Sequence, residues 1–383
     1  MSEIESILEV YEGLKAQGQA CVLATVVHVE GSSYRRAGAR MLVAENGMMH
    51  GAISGGCLEG DALKKALLAL HQRQNKLVTY DTNDEDDAVV GAQLGCNGVI
   101  QVLFEPVLPG NEGPMAFLRK MAAPATSAVL ITLFNLQKDN IQPGTSMHID
   151  ANLNVSGQIE NPDLFEAVKA DTRQVFAQQR SIFGAYQLNG ATQHAFLEYH
   201  NPAISLVLIG AGNDAQVLAR MAELMGWRVN IADGRPTHAN SQRFGPACRI
   251  IVAKPEKLLQ QLQPDERSAV VLMTHNFPYD LAIFKALLDF PQVPYIGILG
   301  PKKRYQRMLD ALHDESITLT PAQAARVHAP VGLDLGAENA AEIALSVLSE
   351  ILAVFNRSSG GHLRSRSGPI HDKSHYVFQE KQV

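Results

Sequence analysis

Hydrophobic positions follow their clearest pattern in the second half of the chain. Short apolar runs there alternate with segments whose apolar residues recur at the spacing of one helical face. The runs predict buried strands at Ile204–Ile209, Arg228–Ala232, Ala269–Met273 and Tyr295–Leu299. The periodic segments predict helices through Val217–Leu224, Leu281–Leu288 and Ala340–Phe355. Because strands that alternate with helices form βαβ units, we predict an α/β fold with a C-terminal, Rossmann-type, doubly wound parallel sheet.

The first part of the chain shows the same two patterns on a smaller scale. Apolar residues at helical spacing predict a helix from Ile4 to Lys15 and another through Ala62–Leu70. Runs of β-branched and apolar residues predict strands at Cys21–Val29, Met41–Ala44, Leu77–Tyr80 and Val99–Phe104. Together these elements predict a smaller N-terminal α/β domain.

Proline and glycine indicate where the domains divide. The stretch from Pro106 to Pro114 predicts a domain seam. We therefore expect an N-terminal domain at 1–110, a connecting α/β region at 111–200 and the Rossmann domain at 201–355. Within the connecting region, Ala128–Phe134 predicts a strand, and the polar stretch 137–157 is compatible with hairpin strands. Residues 356–383 are rich in Ser, Gly and Arg and predict a flexible basic tail.

The loop Gly210-Ala211-Gly212-Asn213-Asp214-Ala215 joins a predicted buried strand to a predicted helix. In this setting Gly210 permits the turn, Gly212 lets the backbone approach a phosphate, and the helix N-terminus attracts an anion. The next strand leads to Asp233, about 20 residues on, where an acidic side chain contacts the ribose in dinucleotide-binding domains. Arg235, close by, suits a ribose phosphate. The alternative is a Rossmann-shaped domain that binds no dinucleotide, because fold does not fix ligand.

His275 follows the predicted strand Ala269–Met273, at the edge of the sheet where ligands bind in such folds. Its position suits acid–base or binding chemistry, and a histidine that only closes the strand with a hydrogen bond is the alternative. After the next strand, Lys302, Lys303 and Arg304 open a helix. Cations oppose the dipole at a helix N-terminus, so they indicate either an anionic ligand or solvated surface charge.

Two cysteines in the first domain lie beside glycines. The stretch Ser54-Gly55-Gly56-Cys57-Leu58-Glu59 places Cys57 at the predicted start of a helix, a position that lowers the pKa of a thiol. Gly55-Gly56 leaves room for a ligand near the sulfur. Cys96 lies in a similar stretch, Gly95-Cys96-Asn97-Gly98. Two such thiols suggest a soft-metal or sulfur site, with Cys57 as the candidate metal ligand; inert buried thiols are the alternative.

Two charged loops of the first domain carry further candidates. The Gly-punctuated loop from Ser32 to Arg40 combines hydroxyls with several arginines. Arg35 in this loop is a candidate for gripping a phosphate, and a solvated connection is the alternative. The acidic run Asp84–Asp87 fits no calcium-loop spacing, so we interpret it as a solvated turn.

Composition and charge narrow the classes of function. The chain has 383 residues, 46% of them hydrophobic and 19% charged, which is typical of globular proteins. Its net charge of −6 argues against binding to nucleic acid or to anionic lipid. The four cysteines form no CxxC pair, so we expect reduced thiols, with Cys21 and Cys248 structural. No signal-peptide pattern is present and no apolar stretch approaches the roughly 20 residues that span a bilayer, so we expect a cytoplasmic protein.

Taken together, these segments resemble the XdhC/CoxI family, the accessory factors of xanthine dehydrogenase and related molybdenum hydroxylases. The resemblance spans nearly the whole chain, and Ser54–Glu59 is its most specific part. The other matching stretches are Gly31–Arg35 with Gly38-Ala39, Leu94–Gly98, Gly210–Ala215, Asp233–Arg235, Thr274-His275 with Asp280, Tyr295–Gly300, Pro330–Leu333 and Glu342–Ala344. The family often has His where this chain has Asn213, so a role for that imidazole does not carry over.

The resemblance implies a dimer that binds the molybdenum cofactor, as molybdopterin or its dinucleotide, protects it during sulfuration and delivers it to an apo molybdenum hydroxylase. A cysteine desulfurase is the second implied partner. The implied cofactor-binding residues are Arg35, Ser54, Gly55, Gly56, Cys57, Glu59, Cys96, Gly210, Gly212, Asn213, Asp214, Asp233, Arg235 and His275. One alternative is an NAD(P)-dependent oxidoreductase, with Asp233 on the ribose and His275 as proton donor. The other alternative is a non-catalytic scaffold whose basic tail docks a partner.

Overall fold

The computed structural model describes residues 3–31, 34–81, 98–122, 126–137, 141–188, 190–367 and 378–383. These residues fall into two compact units. The N-terminal unit contains residues 3–202 and the C-terminal segment 378–383, and the C-terminal unit contains Ala203–Ser367. Pro106–Pro114, the predicted seam, lies inside the N-terminal unit. Among the described helices, none combines the length and the apolar character needed to cross a membrane.

Helices and strands are numbered here in chain order. The helices are α1 Glu3–Ala16, α2 Glu59–Gln72, α3 Pro114–Ala122, α4 Pro162–Gln178, α5 Asn213–Leu224, α6 Pro255–Leu262, α7 Phe277–Leu287, α8 Lys302–Asp314, α9 Pro321–Ala324 and α10 Ala340–Phe355. The strands are β1 Cys21–Gly31, β2 Arg40–Ala44, β3 Met49–Gly51, β4 Lys76–Asp81, β5 Gly98–Val107, β6 Ala128–Phe134, β7 Gly144–Asp150, β8 Val155–Gly157, β9 Ile182–Leu188, β10 Ala191–His200, β11 Ser205–Ile209, β12 Arg228–Asp233, β13 Arg249–Val252, β14 Ser268–Leu272, β15 Tyr295–Ile298, β16 Val327–His328 and β17 Phe378–Gln382.

The first sheet of the N-terminal unit is antiparallel, in the order β3-β2-β1-β5-β4. Its central strand β1 is buried from Cys21 to Val29. Helix α2 covers one face, and its buried residues are the small Ala62, Ala66 and Ala69 on one helical stripe. This close packing holds the N-terminal end of α2, and with it the loop that carries Cys57, against the sheet.

The second sheet has the order β17-β9-β10-β6-β7-β8. Helix α4 packs against one of its faces. On the other face Phe134, Phe183 and Phe196 meet Val27 and Leu103 of the first sheet. The polar stretch 137–157 contributes the hairpin β7–β8, as its sequence allowed.

The end of the chain differs from the predicted flexible tail. Phe378–Gln382 forms β17, which pairs in parallel with β9. Lys381 of this strand forms an ion pair with the buried carboxylate of Asp171, which also accepts a 2.7 Å hydrogen bond from the Tyr186 hydroxyl. The pairing partner is distant in sequence, so the polar sequence of the tail alone did not indicate a strand.

The C-terminal unit is a parallel sheet in the order β13-β12-β11-β14-β15-β16. Helices α5 and α10 cover one face, and α6, α7 and α8 cover the other. The order and the two helical layers are those of a Rossmann fold, so the predicted fold class is confirmed. A capping box starts α10: Asn339 accepts from the amide of Glu342 at 3.0 Å, and Glu342 accepts from the amide of Asn339.

Candidate functional site

Gly210 lies where β11 turns into the glycine loop, Gly210–Asn213. Its φ is +121°, and a Cβ there would lie 2.7 Å from the backbone carbonyl of Met273 and 2.8 Å from the amide of Thr274. Only glycine accepts both the conformation and the approach. The loop is therefore pressed against the carboxyl end of β14, the edge at which ligands bind in parallel sheets.

The N-terminus of α5 is open to a ligand. Gly212 is its N-cap residue and supplies no side-chain cap, and a Cβ added to Gly212 would meet nothing within 4 Å. Asn213 and Asp214 follow in the first turn, with exposed side chains. The first amides of a helix need acceptors, and a phosphate supplies them. The exposed carboxylate of Asp214 lies in the same turn and would repel such an anion.

Asp233 ends β12 and is almost completely used by the protein itself. Its carboxylate accepts from the Ala211 amide at 2.9 Å and from the Arg235 amide, Nε and Nη2 at 2.9, 3.0 and 2.9 Å. The side chain is 4% exposed. Burial raises the pKa of Asp233, but the hydrogen bonds from Arg235 and Ala211 outweigh it, and the pKa is lowered overall. Four donors fill the acceptor positions of a carboxylate, which argues against a contact with a ribose.

Replacing Asp233 by Asn tests this network. The amide turns a donor toward donors, so we expect the C-terminal unit to lose about 1–3 kcal/mol of its free energy of unfolding at pH 7. The folded-state pKa lies below the unfolded one, so the carboxylate stabilises above its unfolded pKa and stops doing so as the pH falls through the folded value.

Trp227 is the chain's single tryptophan and is buried in the core of this unit, so its fluorescence follows unfolding in denaturant. The difference in stability between the wild-type and Asp233→Asn proteins should begin to shrink as the pH falls below about 4. A difference that stays constant with pH would contradict the assignment.

Arg243 is a residue of this site that the sequence did not indicate. Its Nη2 donates to the carbonyl of Ala211 at 3.2 Å and to Oδ1 of Asn213 at 3.0 Å. Within the part of the chain that the structure describes, its Nε has no hydrogen-bond partner. Arg243 lies in an irregular segment and reaches the loop only through the fold, so no local pattern could have found it. It brings a cation to the glycine loop.

Thr274 and His275 follow β14, beside Gly210. The Thr274 hydroxyl donates to the buried carboxylate of Asp280 at 2.6 Å, and Arg304 pairs with the same carboxylate at 2.5 Å. His275 is exposed and has a φ of +60°. Arg304 thus has a structural partner, whereas Lys302 and Lys303 are exposed. These bonds fix the turn that presents His275. Of the three cations at the start of α8, Arg304 therefore has a structural role.

The loop that carries Cys57 precedes α2, with Leu58 as the N-cap residue. The Ser54 hydroxyl organises it: Oγ donates to the Glu59 carboxylate at 2.5 Å and accepts from the amides of Gly56 and Leu58, both at 3.1 Å. The Cys57 thiol lies 3.5 Å from the same oxygen. Burial raises the pKa of Glu59, but its hydrogen bonds from Ser54 outweigh this and lower it, so Glu59 is an ionised anchor.

Accessibility separates Cys57 from the other described cysteines. Burial raises the pKa of both Cys21 and Cys248 to about 12, with hydrogen bonding to Glu223 adding to the effect at Cys248. These two thiols are therefore inert. Cys57 is only half-buried. It follows Gly55, where a Cβ would lie 3.2 Å from the ring of Tyr34, and Gly56, which has a φ of +108°. This backbone presents one accessible thiol.

Two further candidates from the first domain are Arg35 and Cys96. Arg35 is partly exposed, and its Nη1 lies 3.9 Å from a carboxylate oxygen of Glu3. Cys96 lies outside the described residues. The described part of the chain contains no group of three or more His, Cys, Asp or Glu that could hold a metal ion.

Two family models match the chain on these loops. The model of the XdhC and CoxI family matches residues 14–81, which include Cys57, and the model of the XdhC Rossmann domain matches residues 206–351, which include the glycine loop. A Bacillus subtilis (strain 168) protein, described as a probable subunit of xanthine dehydrogenase, is 31% identical over 350 residues, 90% of this chain and 96% of that protein. The chain belongs to the XdhC/CoxI family, which confirms the resemblance seen in the sequence.

Two further relatives extend the comparison. The "Molybdenum cofactor insertion chaperone PaoD" of Escherichia coli (strain K12) is 25% identical over 337 residues, 88% of this chain and 84% of that protein. A crystal structure described as a xanthine dehydrogenase from Bacillus halodurans is similar with a TM-score of 0.73 at 29% identity, and the match covers 95% of this chain and 99% of that one. The fold is thus shared along nearly the whole length.

Proposed function

We propose that this chain is a maturation factor that binds the molybdenum cofactor and assists its sulfuration and its insertion into a hydroxylase of the xanthine dehydrogenase type. The observation that carries the proposal is the half-buried Cys57 thiol, presented by a glycine loop that Ser54 and Glu59 hold in place. The name of the insertion chaperone among its relatives supports the same role. The partners would be the apo-hydroxylase and a cysteine desulfurase, and the working form a homodimer.

The residues around Cys57 suit such a cargo. The cofactor carries a soft, sulfur-liganded metal and an anionic pterin, and a thiol is a soft donor. Exposed Gly56 leaves the backbone beside the sulfur uncovered, because a Cβ there would meet nothing within 4 Å. The chain's part is to bind the cargo and shield it while the desulfurase supplies sulfur.

We infer a second role for the glycine loop of the C-terminal unit, the binding of a phosphate group such as that of a dinucleotide. The open position at Gly212, the uncapped α5 and the guanidinium of Arg243 support it. An NAD(P)-dependent oxidoreductase is the weaker alternative. The saturated carboxylate of Asp233 counts against the binding of NAD, because that side chain is the one that would contact the ribose hydroxyls of NAD.

Cofactor retention tests the role of Cys57. The purified wild-type chain and Cys57→Ser are incubated with molybdenum cofactor released from a donor enzyme, passed through gel filtration and analysed for molybdenum and for pterin. We expect the wild type to retain both and Cys57→Ser to retain about tenfold less, since a change at a metal's ligand sphere costs tenfold or more in affinity.

Cys248→Ser is the matched control, because it removes a buried thiol of the other unit and keeps a donor for Glu223. It should retain cofactor as the wild type does. A wild type that retains neither molybdenum nor pterin would end the proposal. Equal retention by Cys57→Ser would end the role of Cys57.

A further inference from the structure

A groove of about 830 Å³ lies in the N-terminal unit at the end of α2 opposite Cys57. One wall is formed by Lys65 and Gln72 of α2 and by the turn 73–75. The floor is Lys76–Thr79 of β4, and Ile141 with Gln142 forms the other wall. The Asn75 amide joins the two sides by donating to the carbonyls of Gln142 and Pro143, at 3.1 and 3.2 Å.

The groove is positively charged. Among the residues that the structure describes, Lys65, Arg73 and Lys76 line it and no carboxylate does. None of these three side chains has an ion pair or hydrogen bond with any residue that the structure describes. The chain as a whole has a net charge of −6, whereas the described lining of this groove carries three cations. An anionic occupant would neutralise them.

The floor of the groove is the edge of a sheet. Among the described strands, β4 pairs with β5 on one side and is the last strand of its sheet on the other. An edge strand presents backbone N–H and C=O groups that another extended chain can pair with. The four residues Lys76–Thr79 offer about 13 Å of such edge. Ile141, which is 89% exposed at the rim, offers an apolar contact beside it.

We propose that an extended, acidic segment of a partner protein binds in this groove as an added strand on β4. Its backbone pairs with the outer edge of β4, and its acidic side chains face Lys65, Arg73 and Lys76. A small anion would need the cations but would leave the strand edge and Ile141 unused. The partner surface is independent of the Cys57 loop, so this interaction and cofactor binding can be tested separately.

Three labelled peptides test the proposal by fluorescence anisotropy with the full chain. One is a ten-residue peptide of alternating Glu and Val, the second replaces Glu by Lys, and the third is the Glu–Val peptide methylated on alternate amides. We expect the Glu–Val peptide to bind at least about tenfold more tightly than either of the others. Binding should also slow the hydrogen exchange of the β4 amides.

The variant Lys65→Gln/Arg73→Gln/Lys76→Gln should bind the Glu–Val peptide about tenfold more weakly, as three partly exposed ion pairs are lost. The control Lys64→Gln/Arg220→Gln/Lys257→Gln removes the same charge from exposed positions outside the groove and should bind like the wild type. Equal losses in both variants would overturn the proposal in favour of net charge. If the methylated peptide bound as tightly as the Glu–Val peptide, the proposal of an added strand would be overturned in favour of a simple anion site. Displacement of the Glu–Val peptide by inorganic pyrophosphate would have the same consequence.

Discussion

Gly210→Ala is expected to destabilise the C-terminal unit by about 4 kcal/mol. The methyl group would lie within 2.7 Å of the Met273 backbone, which cannot move aside because the Met273 amide donates to the Ile209 carbonyl at 2.8 Å. Forced repacking of this kind costs about 1–3 kcal/mol, and a φ of +121° on a residue with a Cβ costs about 1–3 kcal/mol more. Since a domain is stable by only about 5–15 kcal/mol, the unit would be close to unfolding.

Trp227 fluorescence during denaturant unfolding measures the loss. Gly212→Ala is the matched control, because Gly212 has a φ of −69° and a Cβ there meets nothing within 4 Å. Its stability should fall by at most about 1 kcal/mol. The same methyl group occupies the space through which a phosphate would approach, so Gly212→Ala should lose ligand binding while it stays folded. A Gly210→Ala protein with the wild-type midpoint would contradict the close approach that the structure shows.

The local pattern of the sequence accounts for the elements that were predicted well. Ala340–Phe355 and Ala128–Phe134 have the predicted bounds, because each buries an apolar stripe or run that is complete within the segment. The parallel strands of the C-terminal unit are likewise short apolar runs. The pattern could not show that β1 pairs with β5 or that β17 pairs with β9, since those partners are far apart in sequence. Strand β10 carries polar residues on both faces, so it has no alternation to detect.

The features of the candidate site also fall into two groups, those that a local motif indicates and those that only the fold brings together. Glycine spacing placed the loop at Gly210 and the acidic residue at Asp233, because both depend on backbone geometry that a motif encodes. The bonds of Asp233 to Arg235 and Ala211, and the approach of Arg243, depend on where side chains meet in the folded unit. The sequence therefore predicted a ribose contact for this carboxylate, whereas in the structure the carboxylate accepts hydrogen bonds from a neighbouring guanidinium.

Arg40→Met is expected to cost the N-terminal unit about 3–5 kcal/mol, the usual cost of removing one partner from a buried ion pair. Arg40 is 3% exposed; its Nη1 donates to Glu198 at 3.0 Å and to the Gly38 carbonyl at 2.9 Å, and its Nη2 pairs with the second oxygen of Glu198. The charge of Arg40 also interacts with the buried carboxylate of Glu105. Burial raises the pKa of Glu105, and Arg40, with hydrogen bonds from Thr145, limits the rise.

The variant therefore leaves two carboxylates in a poorly solvated region without their cation. Because the folded-state pKa of Glu105 is raised, its charged form destabilises the fold as the pH rises through that value, and the loss of Arg40 strengthens the effect. The deficit of Arg40→Met should consequently shrink as the pH is lowered from 7 toward about 4, where carboxylates take up protons. Hydrogen exchange of β1 and β2 peptides follows this unit, which has no tryptophan.

The double variant Arg40→Met/Glu198→Met decides whether the loss of stability comes from the buried carboxylate that Arg40→Met leaves without a cation. Replacing both partners of a buried pair by apolar side chains is often nearly neutral, so most of the stability should return. Lys15→Met provides the exposed comparison: its pair with Glu112 is 2.5 Å long but 49% and 32% exposed, and its loss should cost far less stability than that of Arg40. If the double variant were as unstable as Arg40→Met alone, the cost would lie in the packing of the arginine stem, and the buried pair would not be what holds the two sheets of this unit in place.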